Sequence, residues 1–312
     1  MRLLIVMLSV ISLVSVVAYA EQDHSYDPFR DQFFQLKFNP PKPPKNNPNP
    51  IPKIVHQFWI GKHPLPDPYS YMMHTCQQLD GFEYKLWTNL DYESLLSTPE
   101  YKAIYASIPD EHIAIKKDFL SYLALEHFGG VVLDASMMCV HNPGKLHDSY
   151  SYYAMYPYGK LASFTSDSVY LLHAGVIGAA KNSPIIQDVI KRFKEFIGNY
   201  REYNKKYTAP SFKNKEEFHG WMGQVVMNEA VYHYCFIDRP GCNDVRILGK
   251  EWYSFGGEQV NSEKEALFVD GDLIPTGMII KSLYRRVDTV EHILDILKRT
   301  IVSYGTCTDL KE

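Results

Sequence analysis

Gly129-Gly130-Val131-Val132-Leu133-Asp134-Ala135-Ser136 is the stretch on which the reading of this 312-residue chain turns. Three consecutive apolar residues, two of them β-branched, are strand material, and a run without polar alternation suits a strand buried on both faces, as in a parallel sheet. The two glycines in front end a helix and reverse the chain, because the left-handed conformations needed there are open to glycine. An aspartate then stands at the carboxyl end of the strand. Ligands of open parallel sheets collect at that end, so Asp134 is a candidate for holding a divalent cation that neutralises phosphate. The plain alternative is an aspartate capping a strand-to-loop turn.

Working outward, Ile113 to Phe128 reads as the helix feeding this strand, with Ile115, Phe119 and Leu123 along one face. Asp118 lies near its start and shares a face with Ser121, Tyr122 and Leu125 at helical spacing. There it can accept hydrogen bonds from ribose hydroxyls, or it is a solvated charge beside Lys116 and Lys117. Further upstream, Lys53-Ile54-Val55-His56-Gln57-Phe58-Trp59-Ile60 is a short, β-branched and aromatic strand that stops at Gly61. His56, Gln57, Phe58 and Trp59 bring polar and aromatic groups to its carboxyl end, where a ring can stack on a nucleobase. Alternation sends only one of the two rings to a cleft. Trp87, in a second short strand from Phe82 to Trp87, is equally open to a core or a cleft role.

A capping residue followed by proline occurs at Asp67-Pro68, Thr98-Pro99 and Ser183-Pro184, and each predicts a helix start. Later strands are expected at Leu171 to Ala179 and Asp244 to Leu248, and helices at 184 to 198, 217 to 234 and 288 to 303. Alternating strands and helices predict an α/β fold with a mainly parallel sheet. The strand around His173-Ala174-Gly175-Val176-Ile177-Gly178 carries two glycines, which suggest close approach by a backbone or a ligand. His173 is a candidate to contact an acceptor sugar or a donor phosphate, and Trp221, Gln224, Asn228 and Glu229 are candidates to face the acceptor. Asp270-Gly271-Asp272 resembles a metal motif by eye, but Asp-Gly before Pro275 reads better as a turn.

The ends and the composition set the compartment. Leu3 to Ala20 is an apolar run ending in Ala18-Tyr19-Ala20, so residues 1–20 are a cleaved signal peptide or a short uncleaved anchor. Residues 21–50 form a proline-rich stem, and 51–312 one domain. The main part is thereby placed outside the cell or in the secretory lumen, in a Golgi-like setting if the anchor is kept. A net charge of −4 gives no broad basic surface, which argues against nucleic acid. Five cysteines leave at least one unpaired; Cys235 and Cys242 are the local pair to expect, and no spacing suggests zinc. No Asn-x-Ser/Thr site with a permissive middle residue occurs.

Three motifs in order, Ile51 to Gly61, Ala114 to Asp118 with its helix, and Gly129-Gly130-Val131-Val132-Leu133-Asp134, resemble the DXD-type sugar-transferase family, glycosyltransferase family thirty-two. The likeness covers roughly residues 51 to 185. It implies a GT-A-type, Rossmann-like sheet flanked by helices, a nucleoside-diphosphate sugar donor, a glycan acceptor, a divalent cation (Mn2+ or Mg2+) and transfer with retention of configuration. By the same resemblance, the aromatic after His56-Gln57 lies by the base, Asp118 meets donor hydroxyls, and Gly130, Asp134 and Ser136 belong to the metal and diphosphate segment. Two positions depart from the pattern. Ser136 stands where most relatives carry a second aspartate, and a hydroxyl is a weaker ligand for a hard cation. The capsular-polysaccharide synthesis branch, which tolerates Asp-Ala-Thr or Asp-Ala-Ser here, resembles this chain more closely. Ser121 stands where an arginine is usual, which removes a bidentate contact. A binding protein of lectin type on the same fold is the competing expectation.

Overall fold

Gly130–Leu133 forms the strand its sequence predicts, and every residue of it is buried. The structure, a computed structural model, describes residues 41–139, 141–155, 172–198, 215–248, 253–255 and 268–270. The segment 1–20, most of the stem, Cys307, Gly271-Asp272 and the helix expected at 288 to 303 lie outside the described residues. Across the main sheet the order is β2 (Glu83–Thr88), β1 (Ile54–Trp59), β3 (Gly130–Leu133), β6 (His173–Ala179), β5 (Tyr152–Met155) and β7 (Val245–Leu248). β1 is parallel to β2 and β3, and β5 is parallel to β7. β6 alone runs against its neighbours, β3 and β5.

The sheet is therefore mixed but mainly parallel, and with its flanking helices it is an α/β fold consistent with the GT-A type. The reversal of β6 departs from a uniformly parallel arrangement, because strand direction depends on connections that apolar patterning does not encode. A second small sheet joins β4 (Met137–Cys139) to β9 (Phe268–Asp270) and β8 (Tyr253–Phe255). β4 and β5 are three and four residues long, too short for a periodic signal.

The helices are α1 (Asp67–Gln77), α2 (Pro99–Ser107), α3 (Ile113–Phe128), α4 (Gly144–Ser149), α5 (Pro184–Gly198) and α6 (Lys215–Tyr232). Thr98 caps α2 as its sequence predicts, its side chain accepting from Tyr101 N–H at 3.1 Å. Asp67 does not cap α1. It is already the first helical residue, with Pro66 at the cap position, and its charge favours the helix N-terminus from inside the first turn.

Period-two alternation sorts the sheet residues onto two cores. Phe58, Val132, Tyr152, Ala154, Ile177 and Ala179 pack with α3, α5 and α6 on one face. Val55, Val131, Leu133, Tyr153, Met155 and Val176 pack with β4 and with Cys76 of α1 on the other. Cys76 and Cys139 form a disulfide tying α1 to β4, and Cys235–Cys242 forms the local pair. Closing a loop of 63 residues stabilises the fold by roughly 4 kcal/mol in the chain-entropy account.

The reversal before β3 shows why glycine is needed there. Gly129 ends α3 at φ 66°, with its N–H on Leu125 O at 2.9 Å, and Gly130 follows at φ 105°. A Cβ on Gly130 would lie 2.5 Å from Ile54 O. The space that a side chain would fill belongs to β1, so the two parallel strands pair only because Gly130 has none.

Candidate active site at the carboxyl end of the third strand

Alternation continued one residue past β3 puts Asp134 on the face of Val132, the face covered by α3. Asp118 sits on that same helix. The backbone fixes Asp134 twice, through its N–H to Gly175 O at 3.0 Å and through Met137 N–H to its carbonyl at 2.9 Å. Gln57 Nε2 donates to the same carbonyl at 3.0 Å, tying the ends of β1 and β3 together.

Between the two acids lies a residue whose part the sequence did not reveal. Lys117 Nζ is 2.6 Å from Asp134 Oδ1 and 2.8 Å from Asp118 Oδ1. The three side chains remain 19% (Lys117), 16% (Asp118) and 29% (Asp134) exposed, so the cluster is enclosed without being sealed. Burial works to lower the Lys117 ammonium, but the charges of Asp118 and Asp134 overcome it and hold its pKa above the usual lysine range. Burial pushes the Asp118 carboxyl up, a shift that Lys117 only partly offsets. Burial acts the same way on Asp134, yet Lys117 and His173 bring it below the ordinary carboxylate range. The solvated-charge alternative for Asp118 does not describe this geometry, nor does it describe Lys116, which is buried and paired with Asp110.

Two glycines make room for the acids. A Cβ on Gly175 of β6 would fall 2.9 Å from Asp134 Oδ2, and one on Gly223 of α6 would fall 2.2 Å from Asp118 Oδ2. The close approach suggested by Gly175 is thus an approach of strand to carboxylate. α6 is held at this distance by Tyr122, whose hydroxyl donates to Gly223 O at 2.9 Å. His173 opens β6 half-buried, with Nδ1 accepting from Gly175 N–H at 3.0 Å.

Other candidates are placed elsewhere. His56 is fully buried: Trp87 Nε1–H donates to its Nδ1 at 3.2 Å, so Nε2 carries the proton and donates to Gly129 O at 2.8 Å. Gln57 is equally buried and also accepts from Tyr84 OH at 3.0 Å. Phe58 and Trp87 stack on each other in the core, with ring centroids 6.0 Å apart. Trp59 is half-buried, its ring 5.4 Å from Tyr69 and its Nε1 donating to His63 O at 2.9 Å. The structure thus brings Trp59, not Phe58, toward the surface. Gly130 is committed to β1, as above. Ser136 is buried in the turn between β3 and β4. Ser121 is buried too, its hydroxyl returned to Lys117 O at 2.8 Å.

On α6, Gln224 is half-buried, whereas Asn228 and Glu229 are buried in structural roles. Asn228 Oδ1 accepts from Leu172 N–H at 3.0 Å, and Glu229 pairs with buried Arg192 at 3.2 Å. The Trp221 side chain lies outside the described residues.

For a divalent cation the protein's own donor set is thin. Among the described residues, no three His, Cys, Asp or Glu side chains gather where they would hold one. Asp134 does suit a hard cation of the kind that takes one or two carboxylates plus substrate phosphate oxygens and keeps its waters. The residues therefore fit a cation shared with a diphosphate better than a resident one.

No family model matches the chain. It is 31% identical over 146 residues to an uncharacterised glycosyltransferase of Acanthamoeba polyphaga mimivirus, covering 45% of this chain and 55% of that protein. It is 27% identical over 153 residues to inositol phosphoceramide mannosyltransferase 3 of Schizosaccharomyces pombe, covering 48% of this chain and 39% of that one. The chain spans about half, or less, of the length of these curated relatives. Among solved structures it is similar to the PaToxG glycosyltransferase at 18% identity and a TM-score of 0.43, over 70% of this chain and 80% of that one, a likeness too distant to speak to activity or ligand. By sequence, this chain is a relative of proteins named as glycosyltransferases.

Proposed function

We propose that the chain is a glycosyltransferase that moves a sugar from a nucleoside-diphosphate sugar to a glycan acceptor with retention of configuration, in the manner of glycosyltransferase family thirty-two. The observation that carries this reading is the meeting of Asp118 and Asp134 across Lys117, at the carboxyl end of a parallel strand. Asp118 takes donor hydroxyls, Trp59 stacks on the base, and Asp134 organises the diphosphate. A divalent cation, Mn2+ or Mg2+, shared by Asp134 and the diphosphate would neutralise the departing charge. The bond from the anomeric carbon to the diphosphate oxygen breaks, an acceptor hydroxyl forms the new bond, and its proton leaves with the diphosphate. Fixed charges aimed at the leaving group supply most of the acceleration, and no enzymic nucleophile is assigned. His173, two residues before Gly175 on β6, and Gln224, next to Gly223 on α6, are the acceptor-side groups. Two disulfides suit an oxidising, secretory-pathway setting.

The test is release of nucleotide from a panel of nucleoside-diphosphate sugars by the full chain in Mn2+, with mannosyl donors first because a relative is named for mannosyl transfer. Turnover with one donor is expected. A second reading, a nucleotide-sugar or glycan-binding protein of lectin type, is favoured by Ser121 and Ser136, both buried and neither able to replace the usual arginine or aspartate. Donor binding without turnover across the panel selects it.

A further inference from the structure

We propose that Lys117 is the resident counter-ion of the acid pair: it keeps free divalent cations off Asp134 and hands over to the donor's diphosphate when cation and diphosphate arrive together. The inference rests on the donor-site reading above. Its structural basis is the ammonium held between Asp134 Oδ1 at 2.6 Å and Asp118 Oδ1 at 2.8 Å. These contacts use two of its three N–H donors and leave one for a third partner.

An ion binding to the empty protein must displace this ammonium from a partly buried pair of carboxylates. In return it gains one carboxylate oxygen and the neighbourhood of a buried serine, a poor exchange for a hard cation. A diphosphate changes both sides of the exchange. It brings further oxygens for the cation and a new anionic partner for the ammonium, which its flexible four-carbon stem can reach. Cation and diphosphate therefore favour each other's binding, and the coupling is reciprocal.

The position in the helix explains why lysine serves here. Residue 121 lies one turn after 117, and its serine bonds Lys117 O instead of reaching into the cluster. Among the described residues, Lys117 is the cation that bonds both acids. Its charge meets them from one turn earlier than an arginine at 121 would.

The full chain is titrated with Mn2+ alone, following free ion by electron paramagnetic resonance, and then with UDP and with GDP in Mn2+ by calorimetry. The wild type is expected to show no saturable Mn2+ binding below the millimolar range without nucleotide. Lys117→Met should tighten binding of Mn2+ alone and weaken Mn2+-assisted binding of UDP or GDP, each on the order of tenfold. Lys117→Arg should exclude Mn2+ as the wild type does. General loosening of the site would lower both affinities, so opposite signs identify the handover. Micromolar binding of Mn2+ alone to the wild type overturns the proposal, as does Lys117→Met moving both affinities together or neither. Should Lys117→Met fail to fold, the wild type and Lys117→Arg still decide: Mn2+ alone on either one sinks it. No nucleotide binding to any protein in Mn2+ instead sinks the donor-site reading and the handover with it, while Mn2+ exclusion would then mark Lys117 as a structural ion pair only.

Discussion

The end of β1 and the end of β3 both carry polar side chains after apolar ones, and the structure uses them in opposite ways. At β1, His56 and Gln57 are fully buried and bonded on every side shown, to Gly129, Trp87, Tyr84 and Asp134 main chain or side chain. At β3, Asp134 keeps 29% of its side chain exposed, and its partner is a flexible ammonium. A buried group whose hydrogen bonds are all taken has nothing left to offer a ligand, whereas a half-exposed carboxylate with an exchangeable partner does. The difference separates groups committed to holding the strand ends together from one left available to a ligand.

The strongest way to break this comparison is Asp134→Ala. Turnover of the preferred donor should fall by at least about a thousandfold, roughly 4 kcal/mol of barrier, with the thermal midpoint little changed. Retained turnover would move the chemistry elsewhere. The next largest effect belongs to the buried histidines and appears on stability. Burial pulls His56 down to about 4, and His147, enclosed between Pro52 O and Tyr153 OH on the opposite face, likewise to about 4. Because the folded pKa lies below the unfolded value of 6.5, the unfolded chain binds the extra protons. Stability should therefore be intact above pH 6.5 and be lost as pH falls toward 4, on the order of 3 kcal/mol per histidine. Urea midpoints across that window for wild type and His56→Gln measure it. A flat profile would mean that His56 is not held neutral inside.

This contrast also marks how far the sequence could be read. β1, β2, β3 and α3 were legible because apolar runs, the Gly129-Gly130 break and helical spacing are local signals. The antiparallel β6 and the short β4 and β5 were not, since direction and three-residue strands are set by what they pack against. Asp118 and Asp134 could be named from position alone. Lys117 could not, because a helical lysine defaults to solvent unless another element draws it inward, and here the residue that does so, Asp134, stands 17 residues later. For His56 the failure ran the other way. A polar residue near a strand end looks like a ligand until its partners are known, and these stand 73 and 31 residues away.

Gly223→Ala sharpens the comparison at α3. The added Cβ would overlap Asp118 Oδ2, so the carboxylate or α6 must shift by around an ångström. Small-to-large changes in packed sites cost about 1–3 kcal/mol. Most of this should appear as weakened donor binding, since Asp118 is the more easily moved group. Donor affinity and urea midpoint, measured together, test the division: an unchanged affinity with a large loss of stability would place Asp118 outside the donor site.

The smallest effect is the one that separates the two rings of β1. Phe58 stacks on Trp87 in the core, whereas Trp59 lies half-buried against Tyr69. A base stacked on an aromatic ring contributes roughly 1–3 kcal/mol. Trp59→Ala should therefore weaken UDP or GDP binding about tenfold at nearly constant stability. Phe58→Ala should do the reverse, lowering the urea midpoint and leaving the affinity of the folded fraction unchanged. If calorimetry instead shows the nucleotide following Phe58, the base would have to enter a core that is closed here. The end of β1 would then need to open on binding, and its rigid, fully bonded character would be a property of the free state alone.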